Sequence, residues 1–258
     1  MILFAKDVHP DYPLILAANR DEFYARPTAR LDWWKDHPEV LAGRDLKAGG
    51  TWMGLSRSGR FSALTNFRDP SNIKEDAPSR GDLVSDFLKG HQSPAEYLAE
   101  VETNMKAFNG FNLLVGDQHE LWWVSNEADQ GKQQLSPGIY GLSNAILDTP
   151  WPKVLRGKAA LAEIVGQSGK ISPEPLFSML KDPTIAPDSD LPQTGVPLEW
   201  ERKLSAMYIA YPDSGYGTRV STVCWVDRSG NWFVEERAYV PAGEPKSFRL
   251  EVSAQLDS

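Results

Sequence analysis

Residues 14–18 read Leu-Ile-Leu-Ala-Ala, and the next four are Asn19, Arg20, Asp21 and Glu22. The first run has the length and uniform apolarity of a buried strand. The second would be costly to bury, because each of its side chains needs a hydrogen-bonding partner once it leaves water. A chain that carries the two back to back must bring a strand out of a sheet interior and deliver polar groups at its end. Such a run marks either a turn of ordinary charged residues or a polar site, and its place at a strand end favours the site. Phe23, Tyr24, Ala25, Arg26 and Pro27 complete the segment.

The rest of the pattern predicts where that strand sits. Residues 2–8 pair with 14–18 as a hairpin across His9, Pro10, Asp11, Tyr12 and Pro13. A looser aromatic stretch at 31–34 precedes a second hairpin, 49–55 and 60–66, which ends in Asn66. Two helices follow. Ser79 caps a segment with Leu83, Val84, Phe87 and Leu88 on one face, and Ser93, Pro94, Ala95 and Glu96 form a capping box with proline in the first turn. Strands are expected at 111–115, 120–125 and 139–142, then helices at 152–165, 174–180 and 199–206, with Ser172 as N-cap of the middle one. Strands at 207–210, 220–226, 232–239 and 248–252 close the chain. Clustered strands with helices segregated to the outside predict an α+β fold, a four-layer αββα sandwich of antiparallel sheets. A doubly wound nucleotide fold is excluded, because no glycine-rich phosphate turn follows the first strand. The proline- and aspartate-rich stretch 183–197 reads as a surface loop.

Composition narrows the function. The 258 residues suit one domain spanning 1–258, and a net charge of −8 without any run of Lys or Arg argues against nucleic acid. The single cysteine, Cys224, allows no internal disulfide, and its apolar strand context reads as a buried, inert thiol. His9, His37, His91 and His119 are scattered without ligand spacing, so neither a metal nor another cofactor is expected. The apolar start is interrupted at Lys6 and Asp7 before any signal-peptide core develops, and no stretch approaches transmembrane length. The expectation is a cytoplasmic protein that does not span a membrane.

The polar segment resembles the signature of the NRDE family, whose eukaryotic relatives are named transport and Golgi organisation protein 2. Further blocks carry the resemblance along almost the whole chain: Ala42-Gly43-Arg44-Asp45, Gly49-Gly50-Thr51-Trp52-Met53-Gly54, Leu64-Thr65-Asn66-Phe67-Arg68, Gly81-Asp82-Leu83-Val84, Gly141-Leu142-Ser143-Asn144 and Tyr216-Gly217-Thr218-Arg219. The resemblance implies an N-terminal-nucleophile hydrolase fold, similar to choloylglycine hydrolases and penicillin V acylases. There an amino-terminal cysteine is the nucleophile and its own α-amino group, titrating near pH ~8, is the base. It implies that Arg20 stands beside the nucleophile and favours its thiolate, and that Asp21, or Glu22 in its stead, orients the α-amino group. Asn66 and Asn144 resemble asparagines that stabilise a developing oxyanion or hold the amine, with Asn19 in the same motif, and Arg219 resembles a further active-site arginine. Read singly, Asn66 and Asn144 are equally strand-end turn residues and Arg219 an ion-pair partner.

Family members typically begin Met-Cys-Leu, whereas this chain begins Met1-Ile2-Leu3-Phe4. Two expectations follow. Either the start has lost two or three residues and the chain is a cysteine hydrolase or acyltransferase acting on a C–N amide or related acyl bond, or it is a non-catalytic member that keeps the pocket as a lipid or haem carrier. The retained polar set favours the first. The partner is then a small acyl or amide substrate, or an apolar ligand, with some of the nine tryptophans lining its pocket. A haem would have one axial ligand such as His37.

Overall fold

The computed structural model describes residues 1–252. The opening hairpin is β1 (Ile2–Lys6) and β2 (Leu14–Phe23). It is followed by β3 (Thr28–Trp33), β4 (Val40–Asp45), β5 (Met53–Ser56) and β6 (Phe61–Asn66). Then come α1 (Arg80–Lys89) and α2 (Pro94–Asn104). Four strands, β7 (Phe111–Gly116), β8 (Leu121–Ser125), β9 (Gln133–Gln134) and β10 (Gly138–Leu142), lead to α3 (Pro152–Val165), α4 (Pro173–Leu180) and α5 (Leu198–Leu204). The last strands are β11 (Ala210–Tyr211), β12 (Tyr216–Val226), β13 (Trp232–Tyr239) and β14 (Ala242–Leu250).

The strands make two antiparallel sheets. One runs β10-β1-β2-β12-β13-β14 with β11 added to β12, and the other runs in chain order from β3 to β9. Alternation along each strand sorts the side chains into three apolar layers. Leu14, Leu16 and Ala18 of β2 meet Leu41, Met53 and Phe61 of the second sheet in the middle layer. Ile15 and Ala17 face Leu161, Leu176 and Phe177 of α3 and α4. On the far side Leu83, Phe87 and Leu98 of α1 and α2 cover Leu113 and Val124. The four-layer αββα sandwich expected from the sequence is the architecture found.

Local signals behaved unequally. The capping box is present, with Ser93 Oγ accepting from Glu96 N–H at 3.3 Å and Glu96 Oε2 accepting from Ser93 N–H at 2.9 Å. Ser79 and Ser172 hold N-cap positions without a side-chain cap bond. Residues 31–33 close β3, whose pairing with β4 shifts register between Ala29 and Asp32, and β4 and β9 were not foreseen. Several expected strands and one helix shift or change length; β12 begins already at Tyr216 and β14 spans Ala242–Leu250. In the structure, β1 ends at Lys6, β5 starts only at Met53, β11 is confined to Ala210–Tyr211, and α5 stops at Leu204. The reason at β1 is Asp7, whose positive φ of 51° turns the chain out of the ladder.

The larger correction concerns the polar run. It is no strand-end turn, because β2 continues through it to Phe23 and pairs with β12 along its whole length. Arg20 lies opposite Val220 and Asp21 opposite Thr218, so Arg219 is an extra residue, a bulge in β12.

The second sheet and its helices are held close by a small residue. A methyl group at Gly54 would stand 2.7 Å from Ala42 Cβ, 2.8 Å from Leu88 Cδ1 and 3.0 Å from the Leu41 carbonyl oxygen. Gly54→Ala is expected to lower stability by about 1–3 kcal/mol through overpacking, measured as a shift of the urea midpoint at constant slope.

Candidate functional site

Alternation divides the Asn19–Glu22 run between two faces of its sheet. Arg20 and Glu22 continue the row of Leu14, Leu16 and Ala18, so the layer between the sheets turns from apolar to ionic at one end. A cleft of about 820 Å³ opens there. All seven residues singled out from the sequence line it, namely Asn19, Arg20, Asp21, Glu22, Asn66, Asn144 and Arg219, and so does Met1.

Their surroundings differ sharply. Asn19 is 1% exposed, and its Nδ2 donates to the carbonyl oxygens of Leu180 at 2.9 Å and Met207 at 2.8 Å. Its Oδ1 accepts from Ser221 Oγ at 2.5 Å. This amide laces the end of α4 and the segment before β11 onto the sheet. Its backbone also holds the chain start, since Asn19 N–H donates to Met1 O and the Met1 amine donates to Asn19 O, each at 2.9 Å. Asp21 Oδ1 accepts from Thr218 Oγ1 at 2.6 Å.

Arg219 is 6% exposed and fastens the two sheets at the cleft. Its guanidinium donates to Val240 O at 3.1 Å, to Thr28 Oγ1 at 3.2 Å and to the carbonyl of Arg26. Asn144 Nδ2 donates to Asn66 O at 2.9 Å, and Asn144 O accepts from Arg68 N–H at 2.7 Å, which leaves the Asn66 side chain on the exposed rim.

Three charged residues that sequence reasoning passed over stand behind the chain start. Arg68 meets Glu201 at 3.1 Å, with Glu201 only 4% exposed, and Lys153 Nζ, also buried, donates to Leu204 O at 2.8 Å. Burial lowers the Met1 amine to about 6; Asp21 opposes that shift, while Lys153 and Arg68 reinforce it. Burial likewise brings Lys153 down to about 8, helped by Arg68 and opposed by Asp21 and Glu201. Burial lowers Arg20 from its ordinary value, with Glu22 opposing and Arg219 reinforcing. Cys224 is fully enclosed, and burial pushes its thiol up to about 12, which keeps it protonated and unreactive. A signal for Lys153 was present: with Gly157 and Leu161 it lies at four-residue spacing on the buried stripe of α3.

His37 is not among the residues lining the cleft, and its Nδ1 lies 3.4 Å from Glu39 Oε1. Among the described residues no group of three or more His, Cys, Asp or Glu is arranged to hold a metal ion, and no helix is long and apolar enough to cross a membrane.

This layering, with a polar cleft at the head of the first strand, is the fold of N-terminal-nucleophile hydrolases. The solved structure of penicillin V acylase from Agrobacterium tumefaciens matches with a TM-score of 0.55 at 13% identity, over 98% of this chain and 87% of that one. The Caenorhabditis elegans N-acylethanolamine-hydrolyzing acid amidase ortholog matches at 0.50 and 12% identity, over 86% and 91%. The chain belongs to the Transport and Golgi organisation 2 family, whose model matches residues 1–241. It is 36% identical over 255 residues to the mouse Transport and Golgi organization 2 homolog, covering 92% of each chain, and the human homolog matches to the same extent. Identity to the Drosophila melanogaster Transport and Golgi organization protein 2 is 30% over 281 residues, covering 99% of this chain and 98% of that one.

Two outcomes are expected. Asn19→Ala removes three hydrogen bonds and strands two carbonyls, and should cost about 2–4 kcal/mol in urea unfolding. Lys153 binds its proton less tightly folded than unfolded, so the unfolded chain is the more protonated state between about 8 and 10.5. Stability therefore rises with pH across that window. Lys153→Met should flatten that rise when midpoints are compared at several pH values.

Proposed function

We propose that the protein is an amide- or acyl-bond hydrolase or acyltransferase of the N-terminal-nucleophile type, with an amino-terminal cysteine as nucleophile at the head of β1. The observation that carries this reading is the pair of backbone hydrogen bonds between Met1 and Asn19, which fixes the start of β1 in the wall of the cleft. A cysteine at the place Met1 occupies, or one residue ahead, stands among Asp21, Arg68 and Lys153, the charges that act on the Met1 amine. An α-amino group held below its usual range is neutral at pH 7 and can take the thiol proton.

The reaction then runs in two halves. The thiolate sulfur adds to the carbonyl carbon, and the negative oxygen is met by an amide N–H at the rim, where Asn66 carries an exposed side chain and Asn144 holds its backbone. The C–N bond breaks as the α-ammonium returns its proton to the leaving nitrogen. Water, deprotonated by the same amine, cleaves the thioester and restores the thiol; another acceptor in its place gives acyl transfer. Asp21 orients the amine, and Arg219 keeps the cleft wall in place.

The test compares three proteins: the chain beginning at Met1, Met1 replaced by cysteine after an added initiator methionine, and Met-Cys added ahead of Met1. N-terminal sequencing verifies each start. With a set of fatty, aromatic and amino-acid amides and thioesters, a cysteine form should turn over substrate and show an acyl adduct by intact mass, while the Met1 form shows neither. Absence of adduct and turnover in both cysteine forms, across that set, overturns the proposal.

A further inference from the structure

Among the described residues, Asp148 is one of two other than glycine with a positive φ, at 58°, the second being the Asp7 that ends β1. A left-handed backbone is uncommon for a residue with a Cβ and persists only where its surroundings hold it. Here the hold is specific. β10 is an edge strand of the first sheet, so one row of its main-chain groups has no strand beside it. Asp148 folds back onto that row: its N–H donates to Gly141 O at 2.9 Å, and its Oδ1 accepts from Gly141 N–H at 2.8 Å. Its Oδ2 lies 2.8 Å from Lys158 Nζ on α3. One residue thus takes the place of a neighbouring strand and ties the end of the loop after β10 to both sheet and helix.

The loop closed in this way, residues 143–147, reaches across to the second sheet through three hydrogen bonds. Asn144 Nδ2 donates to Asn66 O at 2.9 Å, Arg68 N–H donates to Asn144 O at 2.7 Å, and Nδ2 of Asn112, fully buried in β7, donates to Ala145 O at 2.9 Å. Asn66 ends β6 and Arg68 follows it, so the loop is a clasp between the sheets at the cleft. Asn66 and Asn144 line the cleft, whereas Asp148 does not. Both ends of the clasp are fixed at Gly141, one by the chain and the other by Asp148. A loop released from its closing contact gains conformational freedom, and the bonds that depend on its shape weaken together.

We propose that Asp148 is a positioning residue for the cleft: by closing residues 143–147 onto β10 it sets Asn144 against Asn66, and so fixes where the rim amide of Asn66 stands. Asp148 does this whether or not a bond is cut, so only its effect on turnover rests on the hydrolase reading.

Amide hydrogen exchange of the chain beginning at Met1, followed by NMR at low urea concentrations, tests the clasp directly. The amides of Arg68, Gly141 and Asp148 should open as one unit, with a shared urea dependence, and more readily than a core amide such as that of Leu114. Asp148→Gly keeps the left-handed backbone at no steric cost and removes only the side-chain bonds, so protection at Arg68 relative to Leu114 should fall at least about tenfold. Asp148→Asn retains an Oδ1 acceptor and tolerates the left-handed region, and should bring protection back to within about threefold of the parent. In a cysteine form that turns over substrate, Asp148→Gly should lower kcat about 10- to 100-fold while KM changes by less than about threefold, and Asp148→Asn should restore kcat. A lowered urea midpoint in Asp148→Gly with unchanged relative protection at Arg68 marks a merely structural role and overturns the assignment. Failure of Asp148→Asn to restore protection overturns it too, as does an unchanged kcat in the folded glycine variant. Independent opening of the three amides in the parent chain overturns it even where Asp148→Gly does not fold. Absence of turnover in both cysteine forms, with Arg68 protection still dependent on Asp148, sinks the hydrolase reading alone.

Discussion

The site depends on the pairing of β2 with β12. These strands run together from Leu14 opposite Val226 to Phe23 opposite Tyr216, through the middle of the first sheet. Backbone hydrogen bonding forces the Asn19–Glu22 run to stay extended, and extension forces its side chains to alternate. A helix or turn at these positions would scatter the four groups, whereas the ladder aims two between the sheets and two toward the helices. The bulge at Arg219 completes the arrangement by adding one residue just where a guanidinium can reach the loop leading into the second sheet.

Burial then decides what each group is able to do. Asn19 is enclosed by two carbonyls and a hydroxyl that use both of its amide donors and one acceptor position, so its contribution is to stability. Cys224 is enclosed by hydrocarbon, and its thiol has no neighbouring charge to favour ionisation. Lys153, Arg68 and the Met1 amine are enclosed together, and desolvation lowers each of the three from its ordinary value, with Arg68 adding to the shift of Lys153 and of the amine.

Much of this was legible in the sequence. Apolar runs at 14–18, 111–115 and 220–226 located core strands, and the helical stripes of α1 to α4 gave the outer layers. The motif blocks gathered residues that do meet around one cleft. Legibility failed where stabilisation comes from distant partners. β3 has one fully buried side chain, Leu31, and its Arg30 is held by Glu236 at 3.0 Å from the opposite sheet, a pairing invisible to local periodicity. β4 begins just after Pro38 and ends in Arg44 and Asp45, so its charged half reads as loop. The polar run itself was read as leaving the sheet, because nothing local announces that β12 continues beside it. Arg68 and Glu201 are joined across 133 positions, and only the fold brings them behind Met1.

The alternation of Asn19, Arg20, Asp21 and Glu22 has a consequence for how variation in this family is interpreted. Four adjacent letters look like one functional unit, yet physically they answer to two different selections. A change at Asn19 acts on the folded population, so its phenotype is a lower protein level that cooling or chaperones can mitigate. A change at Arg20 acts on the cleft, where the guanidinium has one buried nitrogen without an acceptor among the described residues. Neighbouring codons therefore report separately on the fold and on the cleft.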